Sequence, residues 1–250
     1  MNIAVIFAGG RGQRLNNSND STPKQFLNIC DKPILVHTLL KFEQHKEIDK
    51  IYLVILSEYK DFCAELVEKY GIKKVVKIVG GGETGQDSIY NGLKAAIEEN
   101  PKDSTVLIHD GVRPIIDYEV ISENIKSVKE YGTAVTSTPC YETILVSSDG
   151  ESPKEIPIRK ETFAAQAPQS FVLEEIFDAH NIIRKRPEKY NDIVDSCTLY
   201  NVLGKSIHLV RGNFGNIKVT TPQDLYILNG ILKFKQDYKE LGLWNDWSRK

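Results

Sequence analysis

The chain has 250 residues, of which 41% are hydrophobic and 26% charged, and its formal net charge at pH 7 is -2. This composition is typical of globular chains and excludes a disordered, collagen-like or low-complexity chain. Without an excess of basic residues, nucleic-acid binding by counterion release is not expected. No run approaches the roughly 18 apolar residues of a transmembrane helix, so no membrane partner is expected either.

Four cysteines are spread over the chain without a CxxC pair. This spacing disfavours a structural zinc site and a redox dithiol. The first apolar run is too short for a signal peptide and lacks a basic flank. Together these features predict reduced thiols in a cytoplasmic protein.

Short apolar runs alternate with segments of helical periodicity. The runs predict buried strands over residues 3–7, 51–56, 75–79, 105–108 and 133–136. The periodic segments predict helices over residues 33–42, 59–70, 87–99 and 118–131. This alternation predicts an α/β fold, with a mostly parallel twisted sheet and helices on both faces.

The alternation breaks near Thr138, and the polar stretch over about 138–163 predicts a hairpin or arm that leaves the sheet. Beyond it we predict helices over 172–184 and 192–203, a strand over 206–211, and a helix that begins after the N-cap Thr221 with Pro222. We therefore assign residues 1–232 to a single domain that includes the arm, and residues 233–250 to a charged C-terminal tail.

The loop after the first strand carries three glycines and two cations. Gly9, Gly10 and Gly12 allow backbone N–H groups to approach an anion at the carboxyl end of a strand, where open parallel sheets bind ligands. The absence of GxxxxGK[ST] excludes a P-loop, and a missing third glycine excludes the dinucleotide fingerprint. Arg14 and Lys24 suit the charge of a nucleoside triphosphate. A solvated glycine turn with surface cations is the alternative interpretation.

Five motifs follow one another in a fixed order. They are AGGxGxRL…PKQF (8–26), GGGETGQDSIYNGL (80–93), HDGVRP (109–114), QAPQSF (166–171) and NIKVTTPQDL (216–225). Over about residues 2–232 the chain resembles the cytidylyltransferases that activate sugar-alcohol phosphates, such as methylerythritol 4-phosphate and ribitol 5-phosphate. The resemblance implies a Rossmann-like nucleotidyltransferase fold, CTP as a substrate, Mg²⁺ as a cofactor and a homodimer formed through the projecting β-arm.

The resemblance also implies which residues bind the nucleotide base and sugar. Ala8, Gly9 and Gly10 would line the CTP pocket, and Gly82 and Ser88 would lie at the cytosine and ribose. Without the resemblance, an ordinary strand-to-helix turn is the favoured interpretation of the second pair.

The resemblance assigns the phosphates to three cations and one carboxylate. Arg14, Lys24 and Lys218 would be the catalytic cations that bind the triphosphate and neutralise charge at its α-phosphorus. Asp110 would bind the nucleotide through Mg²⁺, which prefers one or two carboxylates together with phosphate oxygens and water, and Asn216 would approach the metal or phosphate. The alternatives are a solvated Lys218 and a turn in which Asp110 only pairs with a neighbouring arginine.

Three residues are implied at the acceptor. Arg113 would lie near it, and Thr143 and Arg159 would reach it from the arm of the neighbouring subunit. Ala167 stands where most members of the family carry threonine, so the contact made by that threonine does not transfer to this chain.

The implied reaction needs no general base, because the attacking group is a phosphate monoester that is largely dianionic at neutral pH. The segments AAQAPQSF, IPIR and EKYNDIVDSC resemble the ribitol 5-phosphate enzymes more than the methylerythritol 4-phosphate enzymes. This resemblance implies D-ribitol 5-phosphate as the acceptor, giving CDP-ribitol and pyrophosphate for teichoic-acid or capsule synthesis. The alternatives are methylerythritol 4-phosphate, for isoprenoid synthesis, and a non-catalytic nucleotide-binding relative.

Overall fold

A seven-stranded sheet lies at the centre of the computed structural model, which describes residues 1–10, 22–186, 190 and 193–240. The strands are β1 (Asn2–Ala8), β2 (Asn28–Ile29), β3 (Lys32–Pro33), β4 (Lys50–Ile55), β5 (Val75–Gly80), β6 (Thr105–Asp110), β7 (Thr133–Pro139), β8 (Phe163–Val172) and β9 (Leu209–Arg211). The helices are α1 (Ile34–Gln44), α2 (Lys60–Lys69), α3 (Gly85–Ile97), α4 (Tyr118–Tyr131), α5 (Leu173–Arg184), α6 (Ser196–Val202) and α7 (Pro222–Glu240).

The strand order of the sheet is β5-β4-β1-β6-β8-β7-β9. β5, β4, β1 and β6 are mutually parallel, and so are β7 and β9. β8 runs antiparallel to both of its neighbours, β6 and β7. β2 and β3 form a separate small hairpin. The predicted mostly parallel sheet is confirmed, and its four-stranded parallel half places several carboxyl ends along one edge.

Helices cover both faces of the sheet, which explains why β1 is an uninterrupted apolar run. Ile3 and Val5 belong to the core beneath α3, α5 and α6, whereas Ala4 and Ile6 belong to the core beneath α1, α2 and α4. All four side chains are fully buried. Alternate side chains of one strand point to opposite faces, so a strand with helices on both sides requires apolar residues at every position.

The second half of the chain differs from the sequence-based expectation in two elements. The helix predicted over 192–203 begins at Ser196, because the Asp195 side chain accepts from the Thr198 N–H at 2.7 Å and caps it there. β8 was not predicted as a strand at all. It occupies the position between β6 and β7, in the interior of the sheet.

The last helix has the predicted start. Asp224 N–H donates to Thr221 Oγ1 at 3.4 Å, and Thr221 N–H donates to the Asp224 carboxylate at 2.7 Å. α7 then continues to Glu240. The predicted division after residue 232 therefore falls inside this helix, and the end of the predicted tail, 241–250, lies outside the described residues.

Residues 140–162 leave the sheet between β7 and β8, as the change in sequence pattern predicts. Pro139 pairs with Phe163 at the base of this arm, and Val146 bridges Glu155 further out. A single 3-10 turn, Arg159–Glu161, lies near its return. Among the helices that the structure describes, none is long and apolar enough to span a membrane.

Candidate active site

The carboxyl ends of the parallel strands border a cavity of about 1000 Å³, which we call the larger cavity. Residues 8–10, after β1, form one part of its wall. Gly81 and Gly82, after β5, form another, and Ser88 in the second turn of α3 lies beside them. The residues predicted to meet the nucleotide therefore surround a single space.

Glycine is required where the loop after β5 approaches α3 and β1. A Cβ at Gly82 would lie 2.2 Å from the Cβ of Asp87, and one at Gly9 would lie 3.0 Å from the Ser88 hydroxyl. Ser88 Oγ accepts from the Gly82 N–H at 3.1 Å and donates to the Thr84 carbonyl at 3.0 Å. Ser88 thus fixes the loop that it borders.

The N-terminus of α3 lies at the same edge and is held by a capping box. Thr84 Oγ1 accepts from the Asp87 N–H at 3.0 Å, and the Asp87 carboxylate accepts from the Thr84 N–H at 3.2 Å. Gly85, the first helical residue, lines the cavity. Because the N-terminal end of a helix carries partial positive charge, this end favours an anionic ligand.

Four ionic side chains line the larger cavity: Lys24, Glu83, Asp110 and Lys218. Lys24 Nζ donates to the Val219 carbonyl at 2.9 Å, so it is held beside the segment between β9 and α7 that carries Lys218. Lys218 Nζ lies 2.6 Å from Asp110 Oδ1. Two cations and a carboxylate therefore converge at the carboxyl edge of β6.

Arg113 pairs with the second oxygen of the Asp110 carboxylate. Its Nε lies 2.8 Å from Asp110 Oδ2, and its Nη1 donates to the Asn216 carbonyl at 2.8 Å. Burial by itself would raise the pKa of Asp110, but the charges and hydrogen bonds of Lys218 and Arg113 outweigh it and hold the pKa below its usual value. Asp110 is therefore ionised at neutral pH.

Asp110→Asn is expected to lower the free energy of unfolding at pH 7 by about 3 kcal/mol, because Arg113 would remain buried without its counter-charge. The carboxylate contributes fully above its unfolded-state pKa of about 3.9, and the contribution is lost as pH falls through the lower folded-state pKa. Urea denaturation of both proteins from pH 7 downward should show the difference shrinking only at acid pH. A difference that stays constant into acid would contradict this assignment.

His109 lies next to this cluster and is packed in the core. It is fully buried, its ring lies 4.9 Å from that of Phe42, and its Nε2 is 3.1 Å from the Arg113 carbonyl. Burial lowers the pKa of His109 to about 4, so the ring is neutral at pH 7.

A second space of about 270 Å³, the smaller cavity, adjoins the larger one. Asp110 and Lys218 line both, so the ionic cluster stands at their junction. Arg113 lines the smaller cavity only, as does Ala167, where the family resemblance led us to expect threonine. The remaining wall comes from β1, β6, β8, the start of α3, and the start of α6 with the two residues before it.

Two predicted acceptor residues lie elsewhere in the protomer. Thr143 and Arg159 are exposed on the arm, and Arg159 Nη1 donates to the Tyr141 carbonyl at 3.4 Å. Within the described part of the protomer, neither contributes to the wall of the two cavities. Arg14, the third predicted cation, lies outside the described residues.

The sequence predicts no role for Gln166 or Gln169, and the family resemblance places Asn216 near the metal or phosphate. The two glutamines line the smaller cavity from β8, whose interior position in the sheet is evident only from the structure. Asn216 is buried behind the site, where its amide donates to the Ala167 carbonyl at 2.7 Å. Its carbonyl accepts from Arg113 Nη1, so Asn216 holds both the cavity wall and Arg113 in position.

A parallel sheet with a glycine-walled, cation-bearing cavity at its carboxyl edge defines a nucleotide-binding α/β protein. Residues 2–234 match the model of the IspD family, 2-C-methyl-D-erythritol 4-phosphate cytidylyltransferase. The chain therefore belongs to this family of cytidylyltransferases and is a CTP-dependent nucleotidyltransferase.

Relatives named for two different substrates are similar to this chain over nearly its whole length. A ribitol-5-phosphate cytidylyltransferase of Vibrio parahaemolyticus is 42% identical, over 97% of this chain and 100% of that protein. A 2-C-methyl-D-erythritol 4-phosphate cytidylyltransferase of Clostridium botulinum is 40% identical, over 93% and 97%. The crystal structure of 4-diphosphocytidyl-2C-methyl-D-erythritol synthase from Anaerococcus prevotii superposes with a TM-score of 0.76 at 28% identity, over 93% of this chain and 96% of that one.

Proposed function

We propose that this protein transfers CMP from CTP to D-ribitol 5-phosphate, giving CDP-ribitol and pyrophosphate. The observation that carries the proposal is the pair of adjoining cavities with Asp110 and Lys218 at their junction. The larger cavity suits a nucleoside triphosphate, and the smaller suits a compact second substrate. A reaction between two phosphates requires both to meet at one cationic point, and the junction provides it.

The relatives support a sugar-alcohol phosphate as the second substrate. Ribitol-5-phosphate cytidylyltransferases of Vibrio parahaemolyticus and Streptococcus agalactiae are 42–43% identical and cover 97% of the chain. The methylerythritol phosphate enzymes follow at 40–41%. Because the two groups of relatives differ so little in sequence identity to this chain, 2-C-methyl-D-erythritol 4-phosphate is the second candidate acceptor.

The chemical step is a substitution at the α-phosphorus of CTP. An oxygen of the acceptor phosphate forms a bond to this phosphorus, and the bond to the bridging oxygen breaks, so that pyrophosphate leaves with the electron pair. Lys24 and Lys218 would offset the repulsion between the two anions and stabilise charge on the α-phosphoryl oxygens. Arg14 is assigned the same role from the sequence motif.

Asp110 is the residue that would hold a magnesium ion. Among the described residues there is no group of three acidic, histidine or cysteine side chains, so the other ligands would be phosphate oxygens and water. Each Asp110 oxygen accepts from one cation and retains a further lone pair, so the carboxylate fits such an ion. When bound, the ion would supply additional positive charge to the phosphates.

A panel of acceptors with CTP and Mg²⁺ tests the proposed substrate. The panel contains ribitol 5-phosphate, methylerythritol 4-phosphate, glycerol 3-phosphate and arabinitol phosphate, and pyrophosphate release is measured. We expect the highest kcat/KM with ribitol 5-phosphate, and UTP or ATP should replace CTP poorly. Preference for methylerythritol 4-phosphate would establish the second candidate instead, and no release with any acceptor would contradict the function.

The arm suggests that the complete enzyme is a homodimer. It exposes a set of large apolar side chains that a partner subunit would cover. They are Tyr141, Ile144, Leu145, Val146, Ile156 and Ile158, together with Phe163 of β8 at the base of the arm. In the proposed dimer, Thr143 and Arg159 of one subunit reach the acceptor cavity of the other.

Mixing two inactive variants tests this shared site. Arg159→Ala and Lys218→Ala should each lose activity, but subunit exchange between them creates one intact site in every heterodimer. An equilibrated equal mixture should regain about a quarter of wild-type turnover. A monomer by light scattering, or no recovery on mixing, would contradict the shared site.

A further inference from the structure

Two residues that line the smaller cavity each carry a buried polar atom that has no hydrogen-bond partner among the described residues. These atoms are Oε1 of Gln86, at the start of α3, and Oγ of Ser196, the first residue of α6. The residues are 4% and 1% exposed, and both line the cavity. Buried polar groups are normally paired, so two unpaired groups around one space need an explanation.

Other polar side chains of the same wall are already paired with protein atoms. Gln169 donates to Asp195 Oδ2 at 3.0 Å and accepts from the Cys197 N–H at 2.8 Å. The other Asp195 oxygen accepts from the Thr198 N–H at 2.7 Å. These bonds anchor the start of α6 against β8 and so fix the position of Ser196. The paired residues hold the wall of the smaller cavity in place. The Gln86 carbonyl oxygen and the Ser196 hydroxyl remain able to form hydrogen bonds.

Unpaired buried groups cost folding free energy and give nothing back in the free protein. Their cost is offset when a ligand supplies the missing partners. A phosphate would prefer the cations at the junction, Lys218 and Arg113, to the neutral amide and hydroxyl. Neutral donors and acceptors are instead matched to hydroxyl groups, which can both give and receive a hydrogen bond.

We propose that Gln86 and Ser196 bind the hydroxyl groups of the acceptor's polyol chain and thereby determine which alditol phosphate is used. The acceptor phosphate lies at the junction beside Lys218 and Arg113, and the carbon chain extends into the smaller cavity. This inference rests on the proposed function, because it requires an alditol phosphate as the second substrate.

Ser196→Ala and Gln86→Met remove the hydrogen-bonding groups with little change of volume. Each should lower kcat/KM for ribitol 5-phosphate about 5- to 10-fold, the worth of one hydrogen bond. The KM for CTP should stay within about twofold of wild type. Monodeoxy ribitol 5-phosphates complete the test. The analogue that lacks the bound hydroxyl should be penalised with wild-type enzyme and show no further loss with the matching variant, because the missing group no longer has a partner.

Thermal unfolding separates substrate binding from a structural role. Ser196→Ala should unfold at the wild-type temperature or above it, because it deletes an unpaired buried hydroxyl. Ser104→Ala is the matched control. Ser104 Oγ is equally buried and unpartnered among the described residues, but it precedes β6 at the opposite edge of the sheet. It should show the same thermal behaviour with unchanged kinetics for both substrates.

The outcomes separate this inference from the proposed function. Active wild-type enzyme with variants of unchanged acceptor kcat/KM would overturn the role of Gln86 and Ser196 and leave the function standing. A lower unfolding temperature for Ser196→Ala together with equal losses for CTP and acceptor would show a structural role and also overturn it. Wild-type enzyme inactive with every alditol phosphate would refute both.

Discussion

Lys218→Ala is expected to reduce kcat by on the order of 10²–10³-fold, the typical cost of removing one group that stabilises transition-state charge. The Lys218 ammonium lies 2.6 Å from Asp110 and lines both cavities, so it can contact both reacting phosphates. Its side chain is 43% exposed, so the fold should survive its loss. The measurement is pyrophosphate release at saturating CTP and ribitol 5-phosphate, with circular dichroism as the check on folding.

Lys102→Ala is the matched control for this variant. Lys102 pairs with Glu174 at 2.7 Å, is 67% exposed, and precedes β6 at the amino edge of the sheet. Its removal deletes a positive charge of the same kind away from both cavities and should leave kcat unchanged. Near-normal turnover in Lys218→Ala would refute the assigned role of Lys218.

Lys24→Ala should also reduce turnover by on the order of 10²–10³-fold. Unlike the loss in Lys218→Ala, this loss should involve CTP and not the acceptor. Lys24 lines the larger cavity, and its Nζ is held by the Val219 carbonyl at 2.9 Å. The loss should therefore appear in kcat and in kcat/KM for CTP, with the acceptor KM little changed. Arg14→Ala is expected to behave in the same way, on the basis of its sequence motif.

Lys32→Ala is the matched control for Lys24→Ala, because it removes another half-buried lysine eight residues further along the chain. Lys32 lies on β3 and pairs with Asp31 at 3.5 Å. Initial rates with CTP as the varied substrate should be normal for this variant. If Lys24→Ala had the same kcat and the same KM for CTP as the wild type, the assignment of Lys24 to the triphosphate site would be contradicted.

The parallel half of the fold is predictable because its strands carry a strong signal. Every position of β1 between residues 3 and 6 is buried by helices on one face or the other, so the run is continuously apolar. β8 carries no such signal. Its residues Gln169 and Ser170 are buried yet polar, and they are satisfied by partners such as Asn124, whose amide oxygen accepts from Ser170 at 2.9 Å. No periodicity in one segment reveals partners that lie 46 residues away.

The candidate site also has one part that the sequence predicts and one part that it does not. The motifs predicted the ionic residues Lys24, Asp110 and Lys218, and the structure places them around one cavity. The wall of the smaller cavity could not be predicted, because Gln86 and Ser196 meet only when α3 and α6 lie on the same face of the sheet. The Arg113–Asp110 pair was foreseen only as an alternative to metal binding. The geometry allows both, because the carboxylate keeps free lone pairs.

A crystal structure with Mg²⁺, ribitol 5-phosphate and an unreactive CTP analogue tests the central claim most directly. The α-phosphate should lie at the junction of the two cavities, with its oxygens about 2.7–3.2 Å from the ammonium groups of Lys24 and Lys218. The acceptor phosphate should lie beside Arg113, in line with the bond to pyrophosphate. An α-phosphate bound away from both lysines, or an acceptor outside the smaller cavity, would contradict the account.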